Sequence, residues 1–557
     1  MDPVTPLLSL SGKRWILHTP EDLSSTQGGT DLIERLRGER GLEAGESERR
    51  FDDPTIYPDA RKAADRLRHA LQQHEQVGIF GDYDCDGITA TAQMLLWLTK
   101  QGHTPHVRLP HRVHDGYGLK VRHISEMHEQ GVTLLLTVDT GIGAHEAVAH
   151  AATLGIDVIV LDHHHLREAP PAFAILHPAL CPLPPTALPA AAGVVFAFLH
   201  ALEGEEWEGR DEALVLATLG TIADLVPLRA ENRLLVQEGL RAIGRLHDSP
   251  LRRLLQPAGK ATEIAAGDIA FRIAPRINAA GRMADPMIAL EALLHGGEAL
   301  VRLETLNTAR QHATIQCLEE VLSELQPTID LDTLPPFVAS ASPRYPHGIL
   351  GLLAGKVTER FGRPSMIAHI AGDTCVASLR SPAGYNIVEG LTRVAPLLTS
   401  FGGHAQAAGC TFPLDCYTAL LSALEEDVAA HVPADERIAT LSLDAVIDAA
   451  SLTLPFCQSL RALEPYGQGN PEPLFLLREA RLEHIRVVGG EGRHLQATVG
   501  PCKLIGFHLG HLAADANQPL DLAVRLGIDH WNGITRPQLY VQDMRAAQEV
   551  ASLASLA

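Results

Sequence analysis

The amino-acid sequence predicts an α/β protein built on a parallel sheet, followed by a long helix, a second α/β unit and a small β-barrel. Three observations carry that expectation. Short unbroken apolar runs such as VTLLLTV and DVIVL alternate with helical patterns, as strands buried on both faces require. Acidic residues stand directly after several of those runs. Near the carboxyl end the pattern changes to short alternating runs, the mark of a small barrel.

The elements follow in order. Residues 1–50 form a polar N-terminal segment, with disorder expected around GLEAGESERR. The first α/β domain is expected over 51–286. In it the strand QVGIF precedes the helix TATAQMLLWLTKQG, which a glycine stops. The strand HVRLP, the helix VRHISEMHEQG, the strand VTLLLTVD, the helix AHEAVAHAATLG and the strand IDVIVLD come next. DEALVLATLGTIADLVPL is a helical pattern that carries Asp224 among apolar residues. The amphipathic stretch 287–325 holds no proline and predicts a connecting helix within 287–330. The proline cluster DTLPPF marks the next boundary, and a second α/β domain is expected over 331–435, with glycines at HGILG, SPAGYN and FGGHAQAAG. LEHIRVVGG, HLQATVG, DLAVRLGI and QLYVQDM are the strands of a barrel over 436–547, and 548–557 is a tail.

Length and composition bound the function. At 557 residues the chain should hold about three to four domains. No apolar run approaches the ~18–20 residues that span a bilayer, and MDPVTPLLSLSGKRW lacks a signal-peptide layout. Eight cysteines without a CxxC pair argue for a reducing cytoplasm and against a zinc ribbon or disulfide framework. The net charge of −21 argues against general coating of nucleic acid and is compatible with a local basic groove. With 28 histidines present, a lone histidine carries no weight.

GIFGDYDCDGITATA places Asp82, Asp84 and Asp86 at alternate positions after an apolar run. Carboxylates so spaced repel one another unless a divalent cation neutralises them. Asp139 follows TLLLTV, and Asp162 followed by His163, His164 and His165 ends DVIVL. In an open α/β sheet, ligands collect at the carboxyl ends of strands, so these residues converge on one edge. Each has a plainer explanation singly: an acidic turn, a helix cap, a solvated loop, an ion pair for Asp224. Together they point to a metal site.

GDYDCDG, VDTG, LDHHH and GTIADLVPL resemble, in order, the four motifs of the DHH phosphoesterases. FGGHAQAAG resembles the glycine-rich signature of their associated second domain, the DHHA1 type. PHRVHDGYGL, APRINAAGRM, LEPYGQGNPEPLF and LYVQDMR bring the chain nearest to the bacterial single-strand-specific exonucleases of that superfamily. The resemblance implies a DHH domain with a parallel sheet, a DHHA1-type domain and an OB-like barrel. It implies two cations held by Asp84, Asp86, Asp139, His163 and Asp224, with Asp139 bridging; mixed carboxylate and imidazole ligands favour Mn²⁺ and leave Mg²⁺ open. Asp82 and His164 would complete the shell or touch the scissile phosphate. Arg112, Tyr117, Arg282, His347, Ser378, Arg380, Gly402, Gly403 and His404 would line the cleft for the strand and its 5′ end.

The implied activity is metal-dependent hydrolysis of single-stranded DNA from the 5′ end to mononucleotides, in recombination and repair. A monomer working beside a single-strand-binding protein and a helicase is implied as well; no Walker A sequence is present to drive unwinding. All the expected metal ligands precede the barrel, which would then touch only nucleotides behind the scissile bond. Two other functions remain open: a phosphodiesterase of short oligonucleotides or cyclic dinucleotides, and a non-catalytic replication scaffold. The barrel speaks against the first and the full set of acids against the second.

Overall fold

The computed structural model describes residues 8–18, 30–42, 51, 53, 56–181, 188–258, 264–325, 334–434, 436–531 and 534–547. The tail 548–557, most of GLEAGESERR and residues 326–330 of the expected connecting helix lie outside them.

The first domain holds a five-stranded sheet in the order His106–Arg108, Gln76–Phe80, Val132–Val138, Asp157–Leu161, Ala174–Leu176. Every neighbouring pair is parallel, as the unbroken apolar runs require. Helices cover both faces. Cys85–Lys100, Ala191–Glu203 and Arg210–Ala223 pack into one core with Val77, Ile79, Leu134, Leu136 and Ile159. Val121–Glu129 and His145–Thr153 cover the other face with Leu135, Val158 and Val160. Asp224 stands one residue beyond the Arg210–Ala223 helix, at its cap, rather than inside it.

The expected connecting helix is two helices, Met287–His295 and Gly297–Leu325, broken at Gly296 with φ 63°. The second runs 29 residues and leads to a mixed sheet in the order Ser400–His404, Ala407–Pro413, Thr374–Arg380, Ser365–Ala371, Val338–Ser342. Only the last pair is parallel.

The C-terminal domain is one seven-stranded sheet around Phe475, Leu495, Leu504, Leu522, Leu539 and Met544. Its two outermost strands, Ala445–Ile447 and Glu483–Val488, share no ladder among the described residues, so the barrel is partly open. The N-terminal segment belongs here too. Arg14–Leu17 pairs in parallel with Thr440–Leu443, Trp15 Nε1 donates to Asp543 Oδ2 at 2.9 Å, and Leu32, Ile33 and Leu36 enter the barrel core. Among the described residues no helix is long and apolar enough to cross a membrane.

Candidate metal centre and basic cleft

Five parallel strands end along one edge of the first sheet, and the chain leaving four of them supplies polar side chains there. After Phe80 comes the aspartate loop. Asp84 caps the Cys85–Lys100 helix, its Oδ1 accepting from the Asp86 and Gly87 N–H groups at 3.1 Å each. Asn278 Oδ1 accepts the Cys85 N–H at 2.9 Å, tying the loop to the Ala274–Met283 helix. Asp86 accepts from Ala191 N–H at 2.7 Å and Ala192 N–H at 2.9 Å, the first amides of Ala191–Glu203. A helix N-terminus favours a carboxylate there.

Asp139 follows Val138 directly, with φ 61°, in the left-handed region that side chains other than glycine rarely adopt. Such strain collects at functional sites. Asp162 is saturated instead. Its Oδ1 accepts from the His163 N–H at 2.7 Å, the His164 N–H at 3.1 Å and His164 Nδ1 at 2.8 Å. Its Oδ2 accepts from the Ile142 N–H at 3.0 Å. Burial works against this charge, yet the His164 hydrogen bond and the backbone donors hold its pKa at about 2. Asp162 therefore orients His164 and leaves His164 Nε2 facing the Tyr117 hydroxyl at 3.0 Å.

His163 Nε2 lies 3.3 Å from Asp139 Oδ1, 3.6 Å from Asp224 Oδ2 and 3.7 Å from Asp86 Oδ2. Three overlapping groups could each hold an ion, their ligand atoms within 4.8 Å of one another: Asp82, Asp84 and Asp139; Asp86, His163 and Asp224; Asp139, His163 and His164. Asp139 and His163 are each shared by two of them.

The donor set fits divalent cations. Asp82 Oδ1, Asp139 Oδ1 and His163 Nε2 are buried without a hydrogen-bond partner, whereas buried polar atoms are normally paired. Burial draws His163 down to about 4, so its imidazole is neutral and presents a lone pair. Burial and then the Asp84 charge lift Asp82 to about 8 and Asp224 to about 7. Burial followed by neighbouring carboxylates raises Asp86 and Asp139 well above the usual range. Mixed carboxylate and imidazole donors suit Mn²⁺, and the carboxylates alone also suit Mg²⁺.

The predicted basic residues gather beside this edge from both α/β domains. Arg112 stacks 4.1 Å over the Tyr83 ring, and its buried Nε has no partner. Burial and then the Arg112 and Arg310 charges pull Arg282 down to about 9. Burial and Arg112 also lower Arg380, and burial, His369 and Arg112 lower His347, whose buried Nδ1 is unpartnered. So many cations facing one another call for an anion. Arg282 Nη1 donates to Gly348 O at 3.3 Å across the domain boundary. A Cβ on Gly348 would lie 1.9 Å from Arg282 O, so only glycine permits this approach.

In the second domain, register puts Arg380 opposite Ala407 and Ala407 opposite His404, with Ser378, Gly409 and Gly402 in the next such row. Ser378, Arg380 and His404 thus share one sheet face. The strand holding Gly402, Gly403 and His404 is an exposed edge. The sequence placed Asp162 at this edge without a role of its own, and gave no place to Asn278 or to His177, whose Nε2 lies 2.7 Å from His164 O. Asp162 opens LDHHH and Asn278 lies in APRINAAGRM, so the motifs held the signal.

Three known domain families match the chain: DHH family, N-terminal domain, over residues 76–221; DHHA1 domain over 335–430; and RecJ OB domain over 443–543. It is 33% identical to the single-stranded-DNA-specific exonuclease RecJ of Bacillus subtilis, over 97% of this chain and 71% of that one. The chain belongs to the RecJ family. It is 36% identical to the RecJ of Thermus thermophilus over 87% of this chain and 71% of that one. Its fold matches the crystal structure of the Thermus thermophilus RecJ in complex with Mn²⁺, with a TM-score of 0.81 at 30% identity, covering 97% of this chain and 80% of that chain. The Mg²⁺ complex of the same protein matches with a TM-score of 0.72 at 29% identity, covering 96% and 79%.

Proposed function

We infer that this RecJ-family chain is a metal-dependent, single-stranded-DNA-specific exonuclease that works from the 5′ end and releases mononucleotides. One observation supports this most: the unpartnered Asp82, Asp139 and His163 ligand atoms lie on an edge where Arg112 faces Asp82 and Arg282 faces Asp84, and Arg380 of the second domain faces those arginines in turn. Asp84, Asp86, Asp139, His163 and Asp224 would hold two divalent cations, Asp139 being common to two of the ligand groups, and such cations would supply an activated water and the charge that stabilises the oxygens of an in-line displacement at phosphorus.

The chain's own residues do the rest. Burial opposes a charge on His164, but Asp162 and the surrounding carboxylates lift it to about 9 in the metal-free protein, so a charged His164 would stand beside the scissile phosphate with its Nε2 shared with the Tyr117 hydroxyl. Asp82 completes the shell on the same side. Arg112 and Arg282 neutralise the backbone phosphate entering the cleft. Arg380 makes the bidentate pair that suits a terminal phosphate, with Ser378, His347, His404 and the Gly402 and Gly403 amides beside it, while Tyr117 fixes His164. The C-terminal domain holds the strand behind the cleft by stacking and phosphate contacts. Without a nucleotide-driven motor of its own, the enzyme depends on a helicase or single-strand-binding protein for substrate. We place it in the cytoplasm as a monomer.

The test is Mn²⁺-dependent hydrolysis of a long 5′-phosphorylated single strand and of a dinucleotide, by wild type and Asp139→Ala. Wild type should shorten the long strand to mononucleotides, and the folded variant should not. Cleavage of the dinucleotide alone would indicate the short-substrate phosphodiesterase, and strand binding without hydrolysis would indicate the scaffold.

A further inference from the structure

The LEPYGQGNP run of the C-terminal domain, residues 463–471, lies against the residues that follow Asp224. The Leu228 N–H donates to Gln468 O at 2.7 Å, and Arg229 Nε donates to Gly469 O at 3.2 Å. One turn on, Arg233 donates Nη1 to Leu463 O at 3.1 Å and Nη2 to Glu464 O at 2.6 Å. A Cβ on Gly467 would sit 2.7 Å from Leu228 Cδ1, and one on Gly469, at φ +74°, 3.0 Å from Pro227 Cβ. The loop is braced from its own side. Asn470 is wholly buried, donates Nδ2 to Leu463 O at 2.7 Å and Pro465 O at 2.9 Å, and accepts from Arg40 Nη1 at 3.0 Å. Arg40 in turn pairs with Asp444 at 2.8 Å.

The Asp224 side of the contact needs bracing. Leu225 has φ 58° and Ala230 φ 46°, so two residues in the left-handed region bracket the contacted segment. Each costs of order 1–3 kcal/mol and persists only where the surroundings over-determine it. No hydrogen bond to the Asp224 carboxylate is formed among the described residues, unlike those of Asp84 and Asp86. Its aim towards His163 Nε2, 3.6 Å away, is therefore set by the backbone, which the helix holds before it through the Asp224 N–H to Gly220 O at 2.9 Å and the loop holds four residues after it at Leu228.

We propose that residues 463–471 are a positioning element for Asp224, so that docking of the C-terminal domain completes the metal centre as well as holding the strand. This rests on Asp224 being a metal ligand. Loss of a residue that orients a ligand typically weakens metal binding or activity about 10–100-fold.

The test uses the full chain with Gly469→Ala, Arg233→Ala and the milder Gly467→Ala, and Asp224→Asn as reference. Mn²⁺ binding without DNA is followed by calorimetry and electron paramagnetic resonance, alongside kcat, KM and the melting curve. The loop variants that fold should bind one Mn²⁺ about tenfold or more weakly, lose kcat with KM unchanged, and recover kcat at higher Mn²⁺. Wild-type Mn²⁺ binding in all of them, with only KM or only thermal stability altered, overturns the proposal. If Asp224→Asn itself binds Mn²⁺ as wild type does, the ligand assignment fails first, and the proposal with it.

Discussion

Asp82→Asn should make the metal-free protein more stable while abolishing its activity. Asp82 is 3% exposed, and burial with the Asp84 charge lifts its pKa from 3.8 to about 8. Between those values the folded chain keeps a proton that the unfolded chain has released. Stability therefore falls as pH rises through that window, by up to about 1.4 kcal/mol per pH unit. At pH 7, roughly three pH units above 3.8, the wild type carries a penalty of about 4 kcal/mol, and at pH 5 one of about 2 kcal/mol. These are upper bounds, because Asp84 shares the charge.

An asparagine takes up no proton, so the variant's gain should be larger at pH 7 than at pH 5 by about 2–3 kcal/mol at most. Equilibrium denaturation of EDTA-treated wild type and variant at the two pH values measures it. Mn²⁺, which binds only the folded state, should then stabilise the wild type more than the variant. A gain equal at both pH values, or a loss at pH 7, would refute carboxylate crowding as the reason a cation fits here.

Arg380→Ala should impair use of 5′-phosphorylated strands more than 5′-hydroxyl strands, since the charge-assisted bidentate pair is what it removes; equal losses in kcat/KM on both would show a general backbone contact. Asp162→Asn should cost roughly 1–3 kcal/mol, because an amide nitrogen would face N–H groups that now donate to Oδ1 or Oδ2. The same change should lower the His164 pKa from about 9, read by NMR titration of the metal-free protein; an unmoved titration would show that other groups set it.

Much of the centre was legible because one rule placed it. Residues that follow buried parallel strands arrive at a common edge, so Asp82, Asp139 and His163 converge whatever the loops between them do. The unbroken apolar runs marked those strands, and the ladders run parallel as those runs require. The orienting role of Asp162 escaped because a carboxylate that accepts four hydrogen bonds looks, in sequence, like one that awaits a metal. The break at Gly296 escaped because the apolar pattern continues through it, and only the φ of 63° reveals the turn.

Contacts between distant segments carry no periodic signal at all. The linear order of motifs sets every expected metal ligand before residue 436, which suggests a barrel that touches only the strand. In space, Arg229, five residues from Asp224 in the chain, meets Gly469 across 240 residues. Arg40, just past the helix Thr30–Glu39, reaches Asn470 across 430 residues. The barrel is thus built from both ends of the described chain and presses on the turn after Asp224. Deleting it would disturb the candidate metal centre along with the proposed strand-holding surface, so kcat should fall on short substrates too. Point substitutions in the 463–471 loop separate those two effects, because they leave the rest of the barrel in place.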